Sequence, residues 1–174
     1  MARIQTLSIG EAPASAQASL HAVEKATGFL PNLFKVFANS PSSLGAFMQG
    51  QQQLSKGELS AAEREIIALA VSQVNRCEYC LAAHTVLGGH AGLADDAIRA
   101  ARRGEGSALA TLAKAVASQR GRVSDADVAA AREAGITDSR IVEIIAVVAQ
   151  VTFTNYLNNV AKTDVDFPAV DEEV

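Results

Sequence analysis

The chain has 174 residues, 49% hydrophobic, 20% charged and only 5% aromatic, with a net charge of −4. The length suits one domain, the apolar content excludes disorder, and interspersed charges leave no basic stripe for nucleic acid. Two cysteines are too few to staple a secreted scaffold, and both fall at one place, Cys77 and Cys80.

In chain order the sequence reads as helix after helix. The start lacks the apolar run of a signal peptide, so no leader is expected. Helices are predicted over 15–27, ending before Gly28, then over 31–37 and 41–55 with Pro31 and Pro41 in their first turns. Ser60 and Glu63 have capping-box spacing and open an apolar helix to about Asn75. A helix beginning near Cys77 is expected to stop at Gly88 and Gly89. Further helices fit 94–103, 107–120 and 125–134, with Ser107 and Ser124 as N-caps and Gly104, Gly121 and Gly135 as stops. Thr137 or Asp138 starts the last long helix, to about Lys162, and the tail with Pro168 is expected to be loose. The apolar stretch 141–153 is too short and too interrupted for a membrane span, which needs roughly 20 residues, so no membrane partner is expected. The fold class is all-α, one domain over 1–174 with its core at about 25–165, and the expected compartment is the cytoplasm.

An internal echo relates two of these helices. Glu65-Ile-Ile-Ala-Leu-Ala recurs as Glu143-Ile-Ile-Ala-Val-Val, 78 residues on. The same offset sets Asn155 opposite Cys77, Asn158 opposite Cys80 and Lys162 opposite His84. It suggests a duplicated helix pair in which one copy carries chemistry and the other is scaffold.

The chemistry concentrates in Asn75-Arg-Cys77-Glu-Tyr-Cys80-Leu-Ala-Ala-His84. Three-residue spacing at a helix start puts Cys80 one turn beyond Cys77, with Cα atoms roughly 5–6 Å apart, so a reversible local disulfide is sterically available. His84 falls on the same stripe, four residues past Cys80. A helix N-terminus, with Arg76 nearby, favours thiolate, and an imidazole is suited to passing protons. Half a zinc site is the competing reading, with His90 or Glu65 as the nearby fourth ligand. Glu65 reads either as an early-turn acid complementing the helix dipole or as a carboxylate beside a greasy face, placed to accept a proton. Tyr79 reads as a surface or interface aromatic, or as a functional one. Phe29, Phe34, Phe37 and Phe47 are expected in the core or a subunit interface. His21 and His90 read as solvent-facing or capping groups, and Arg99, Arg102 and Arg103 as a solvated helix end.

Glu65, eleven residues, Cys77-x-x-Cys80, three residues and His84 together resemble the signature of alkylhydroperoxidase D, in the carboxymuconolactone-decarboxylase-like superfamily, and specifically its peroxidase-related branch. The resemblance implies an all-α fold, assembly into homotrimers or homohexamers, and hydroperoxide reduction with no bound metal, haem or other cofactor. It implies that Cys80 is the peroxidatic thiolate, Cys77 the resolving thiol, and His84 with Glu65 the proton relay. The reductant it implies is an external dithiol such as dihydrolipoamide, carried on a lipoyl protein. The founding branch has a histidine just before the second cysteine, where this chain has Tyr79, a departure expected to lower activity or shift the reductant. A dithiol–disulfide oxidoreductase or redox sensor with little peroxidase turnover is the alternative that keeps the same pair.

Overall fold

The structure, a computed structural model, describes residues 2–171. Among them are nine helices and no strand: α1 (Ala14–Thr27), α2 (Asn32–Phe37), α3 (Pro41–Leu54), α4 (Ala61–Val74), α5 (Glu78–His90), α6 (Asp95–Arg103), α7 (Ala108–Ser118), α8 (Asp125–Glu133) and α9 (Asp138–Ala161). The all-α expectation holds.

The starts of four helices follow their caps. Ser60 and Ser124 each close a reciprocal capping box, with Glu63 and Asp127, while Ser107 and Thr137 accept from the third backbone N–H beyond them. Such a cap is worth about 1 kcal/mol.

Helix α4 is the centre of the fold, packed against α5, α6, α7 and α9. Its run Ile67-Ala-Leu-Ala-Val71 is buried all round, as a helix enclosed on every side must be. Helix α9 is two-faced instead. Ile144, Val147, Val148, Val151, Asn155 and Asn158 point inward, and Val142, Ile145, Phe153, Tyr156 and Val160 form an exposed stripe opposite. Although α9 is long and apolar enough to cross a membrane by length and composition alone, its inner face lies in the core beside Ile67, Leu112 and Val116. A second cluster joins α1, α2 and α3 through Leu20, Val23, Phe37, Leu44 and Phe47.

Four expectations need correction. Helix α5 passes through Gly88 and Gly89 and ends at His90, and Gly92, with a positive φ of 89°, turns the chain. Gly88 serves packing: a Cβ there would stand 3.3 Å from Leu93 and 3.6 Å from Ile98. As far as the described residues reach, the tail is tied down; 172–174 lie outside them. Asn32 N–H donates to Asp166 Oδ2 at 2.7 Å, Asn32 Nδ2 to the Asp164 carbonyl at 2.9 Å, and Phe167 sits edge-on to both Phe29 and Tyr79. Arg102 is buried, with Nε donating to Gln73 Oε1 and Nη2 bonded to the Asp171 carbonyl. Finally, the repeated segments head α4 and α9, but the second copy holds one helix and not two. Where α4 gives way to α5, α9 runs unbroken through Asn155, because its counterpart of Arg76 stays in the helix.

Candidate active site

The site begins at the turn between α4 and α5. Asn75 caps α4, Arg76 takes a left-handed conformation (φ 50°), and Cys77 N–H returns to the Ser72 carbonyl at 3.0 Å. This closure usually falls to glycine, so an exposed arginine here marks a turn imposed by its surroundings. Cys77 then becomes the N-cap of α5, its Sγ accepting the Cys80 backbone N–H at 3.2 Å. One free donor of the helix start is thus aimed at Cys77. Cys80 lies one turn on, its Cα 5.2 Å from that of Cys77, and the two are joined as a disulfide. Both are buried, at 0% and 3% exposure.

His84 occupies the next turn of α5, and Glu65 reaches it from α4. Their side chains meet at 2.7 Å, Nδ1 to Oε2, and each is 19% exposed. A carboxylate only accepts, so Nδ1 is the donor and Nε2 is the nitrogen left to exchange protons. Of the two readings open for Glu65, its contact with His84 favours the second.

Tyr79 is neither a surface group nor a member of this pair. It is buried, its hydroxyl accepts Leu33 N–H at 3.2 Å, and its ring meets Phe167. Burial, reinforced by the neighbouring Asp166 carboxylate, pushes its phenol far above the usual range. Tyr79 therefore stays protonated and pins α2 and the tail to α5.

A cavity of about 570 Å³ opens beside the disulfide, with Cys80 and His84 in its wall and Cys77 absent from it. The remaining wall is largely apolar and includes Phe29, Phe34, Phe47, Val151 and Phe167. Three of the four phenylalanines assigned to core or interface thus face the cavity. Phe37 stays in the core, stacked on Phe47 at 5.1 Å between ring centroids. His90 lines the wall while remaining exposed, and His21 lies on the surface near Glu24.

One residue at the site lacked an assigned role in the sequence motif. Asn158 of α9 is 3% exposed and donates through Nδ2 to Cys80 Sγ at 3.3 Å. Its signal was the echo, which paired it with Cys80. The same repeat pairs Glu65 with Glu143, whose carboxylate accepts Glu58 and Leu59 N–H and so fixes the loop before α4. No three His, Cys, Asp or Glu side chains among the described residues form a cluster able to hold a metal ion.

Residues 41–111 match the carboxymuconolactone decarboxylase family, a span holding Glu65, Cys77, Cys80 and His84. Among solved structures, an alkylhydroperoxidase AhpD core, an uncharacterised peroxidase-related protein from Ralstonia eutropha, superposes with a TM-score of 0.85 at 25% identity, covering 95% of this chain and 92% of that one. The family match covers residues 41–111, and across nearly its whole length the chain shares the fold of that AhpD core. Its fold recurs in a peroxidase-related protein from a Silicibacter species (TM-score 0.78, 23% identity, 93% and 89% coverage). It recurs also in the debrominase Bmp8, solved with 2,3,4-tribromopyrrole (TM-score 0.80, 17% identity, 95% and 92% coverage). No protein of curated function matches the chain. In AhpD-like terms, the family match spans α3 to the start of α7, while Asn158 and the Phe167 strap lie beyond it.

Proposed function

We propose that the protein is a thiol-dependent peroxidase that reduces organic hydroperoxides at Cys80, in a reducing, cytoplasmic setting. The observation that carries this reading is the shared cavity: one sulfur of a redox pair and one imidazole, backed by a carboxylate, face the same apolar space. In the reduced protein the Cys80 thiolate attacks the terminal peroxide oxygen. The O–O bond breaks, Cys80 becomes a sulfenic acid, and His84 protonates the departing alkoxide to give the alcohol. The Cys77 sulfur then attacks the Cys80 sulfur, its proton leaves with the hydroxide as water, and the disulfide closes.

Reduction consumes an external dithiol. A thiolate of that dithiol enters by the cavity and attacks Cys80, since Cys77 is fully buried. Cys77 leaves as a thiolate, stabilised by the Cys80 backbone N–H that already points at it. The dithiol's second thiol then displaces Cys80, returning both cysteines to the reduced form. The slim arm of a lipoyl protein, as dihydrolipoamide, suits this entry. The same burial weighs against the alternative of exchange with protein disulfides, which are too bulky to reach either sulfur.

The test is hydroperoxide consumption with dihydrolipoamide as donor. Wild type should turn over and Cys80→Ser should not; equal rates would contradict the reading. Self-association is part of the proposal. The apolar stripe of Val142, Ile145, Phe153, Tyr156 and Val160 supports a homotrimer or homohexamer, and sedimentation as a monomer at micromolar concentration would contradict it.

A further inference from the structure

Three asparagines of α9 face the turn that carries the cysteines, and only two of them serve as structural ties. Asn155 accepts from Asn75 Nδ2 at 2.9 Å and donates to Ser72 Oγ at 3.1 Å; Asn159 donates to the Asn75 carbonyl at 2.9 Å. These bonds fix the register of α9 against the end of α4. The Asn158 side chain, held between them, makes one hydrogen bond, to the Cys80 sulfur, and its buried Oδ1 has no protein partner. A buried amide with half its capacity unused is a cost to folding, roughly 1–3 kcal/mol for the unpaired carbonyl. A leucine of similar size would avoid that cost.

A disulfide sulfur is a poor acceptor, whereas a thiolate accepts strongly. The Asn158 contact therefore gains most when Cys80 is reduced and ionised. We infer that Asn158 is a positioning residue for the peroxidatic thiolate: its Nδ2–H holds Cys80 Sγ and stabilises the ionised form that attacks the peroxide. This inference rests on the reading of Cys80 as the attacking sulfur. Each sulfur of the pair then has its own donor, Cys80 N–H for Cys77 and Asn158 Nδ2 for Cys80. The titratable groups around Cys80 are Cys77 at the N-cap of α5, Tyr79 and His84 on α5, Glu65 of α4 behind His84, and Asp166 of the tail beside Tyr79. From α9 the contact is the neutral amide alone.

The experiment reads thiolate formation directly, without peroxide. In a Cys77→Ser background, which keeps a capping side chain, Cys80 is alkylated with iodoacetamide across pH. Adding Asn158→Leu should raise the pH midpoint by about one unit and slow alkylation about tenfold below it, while the melting temperature stays level or rises. Asn158→Ala removes the same donor without filling the space and should move the midpoint in the same direction. A folded variant with an unmoved midpoint overturns the inference. A shifted midpoint in a protein that consumes no hydroperoxide upholds the hold of Asn158 on the Cys80 thiolate, while the peroxidase reading fails separately.

Discussion

Glu65 and His84 stand on different helices, 19 residues apart in sequence, and meet at 2.7 Å behind the cavity wall. Capping at Ser60 sets where α4 begins, and the left-handed turn at Arg76 sets how α5 returns beside it. Glu65 thereby orients an imidazole whose other nitrogen is free for proton exchange. Glu65→Gln keeps a polar group of the same size but removes the charge that balances an imidazolium. Its hydroperoxide kcat/KM should fall by about 10²-fold, the low end of what general acid–base groups contribute. Steady-state kinetics against an organic hydroperoxide checks this, and an unchanged value would remove Glu65 from the relay.

Tyr79 predicts the opposite pattern, because its hydroxyl serves Leu33 N–H. In Tyr79→Phe that half-buried donor loses its partner, costing about 1 kcal/mol of stability. Chemical denaturation should show the loss, while alkylation of Cys80 in the reduced variant should keep its pH profile. A shifted profile would place Tyr79 in the proton pathway.

The capping box at α4 gives a pH dependence with a definite sign. Burial acts to raise the Glu63 carboxyl, but the Ser60 N–H and hydroxyl and the Arg140 guanidinium together hold it below its ordinary value of 4.5. A carboxyl depressed in the folded state stabilises the fold above its unfolded-state value, and that contribution disappears as pH falls through the folded-state value. Melting curves of wild type and Glu63→Gln should therefore differ most near neutrality and converge as pH falls through the lowered folded-state value. A gap that persisted in acid would assign the effect to packing.

Much of this architecture was legible because its determinants are local. Cys77, Cys80 and His84 lie at one helix start and along its first turns, where spacing fixes which side chains share a stripe, whereas the pairing of Glu65 with His84 crosses two helices and is implied by the family resemblance. The tail was not legible, since its ties run from Asp166 to Asn32 and from Phe167 to Phe29 and Tyr79, across distances no periodicity reports. Nor could apolar pattern separate Phe34 and Phe47, which face the cavity, from Phe37, which faces the core. Gly88 and Gly89 misled because glycine ends helices and also permits close packing, and the neighbours that decide between these uses, Leu93 and Ile98, belong to the next turn and helix. Asn158 could be found only through the echo, which gave its partner without its chemistry.

The central claim is that Cys80 and Cys77 act as one two-electron pair toward hydroperoxide. The most direct measurement is a thiol count on fully reduced protein before and after one equivalent of an organic hydroperoxide. The account predicts that both thiols disappear together, that the corresponding alcohol forms in equal amount, and that dihydrolipoamide restores both. Retention of both thiols, or loss of one with the other still free to titrate, would contradict it.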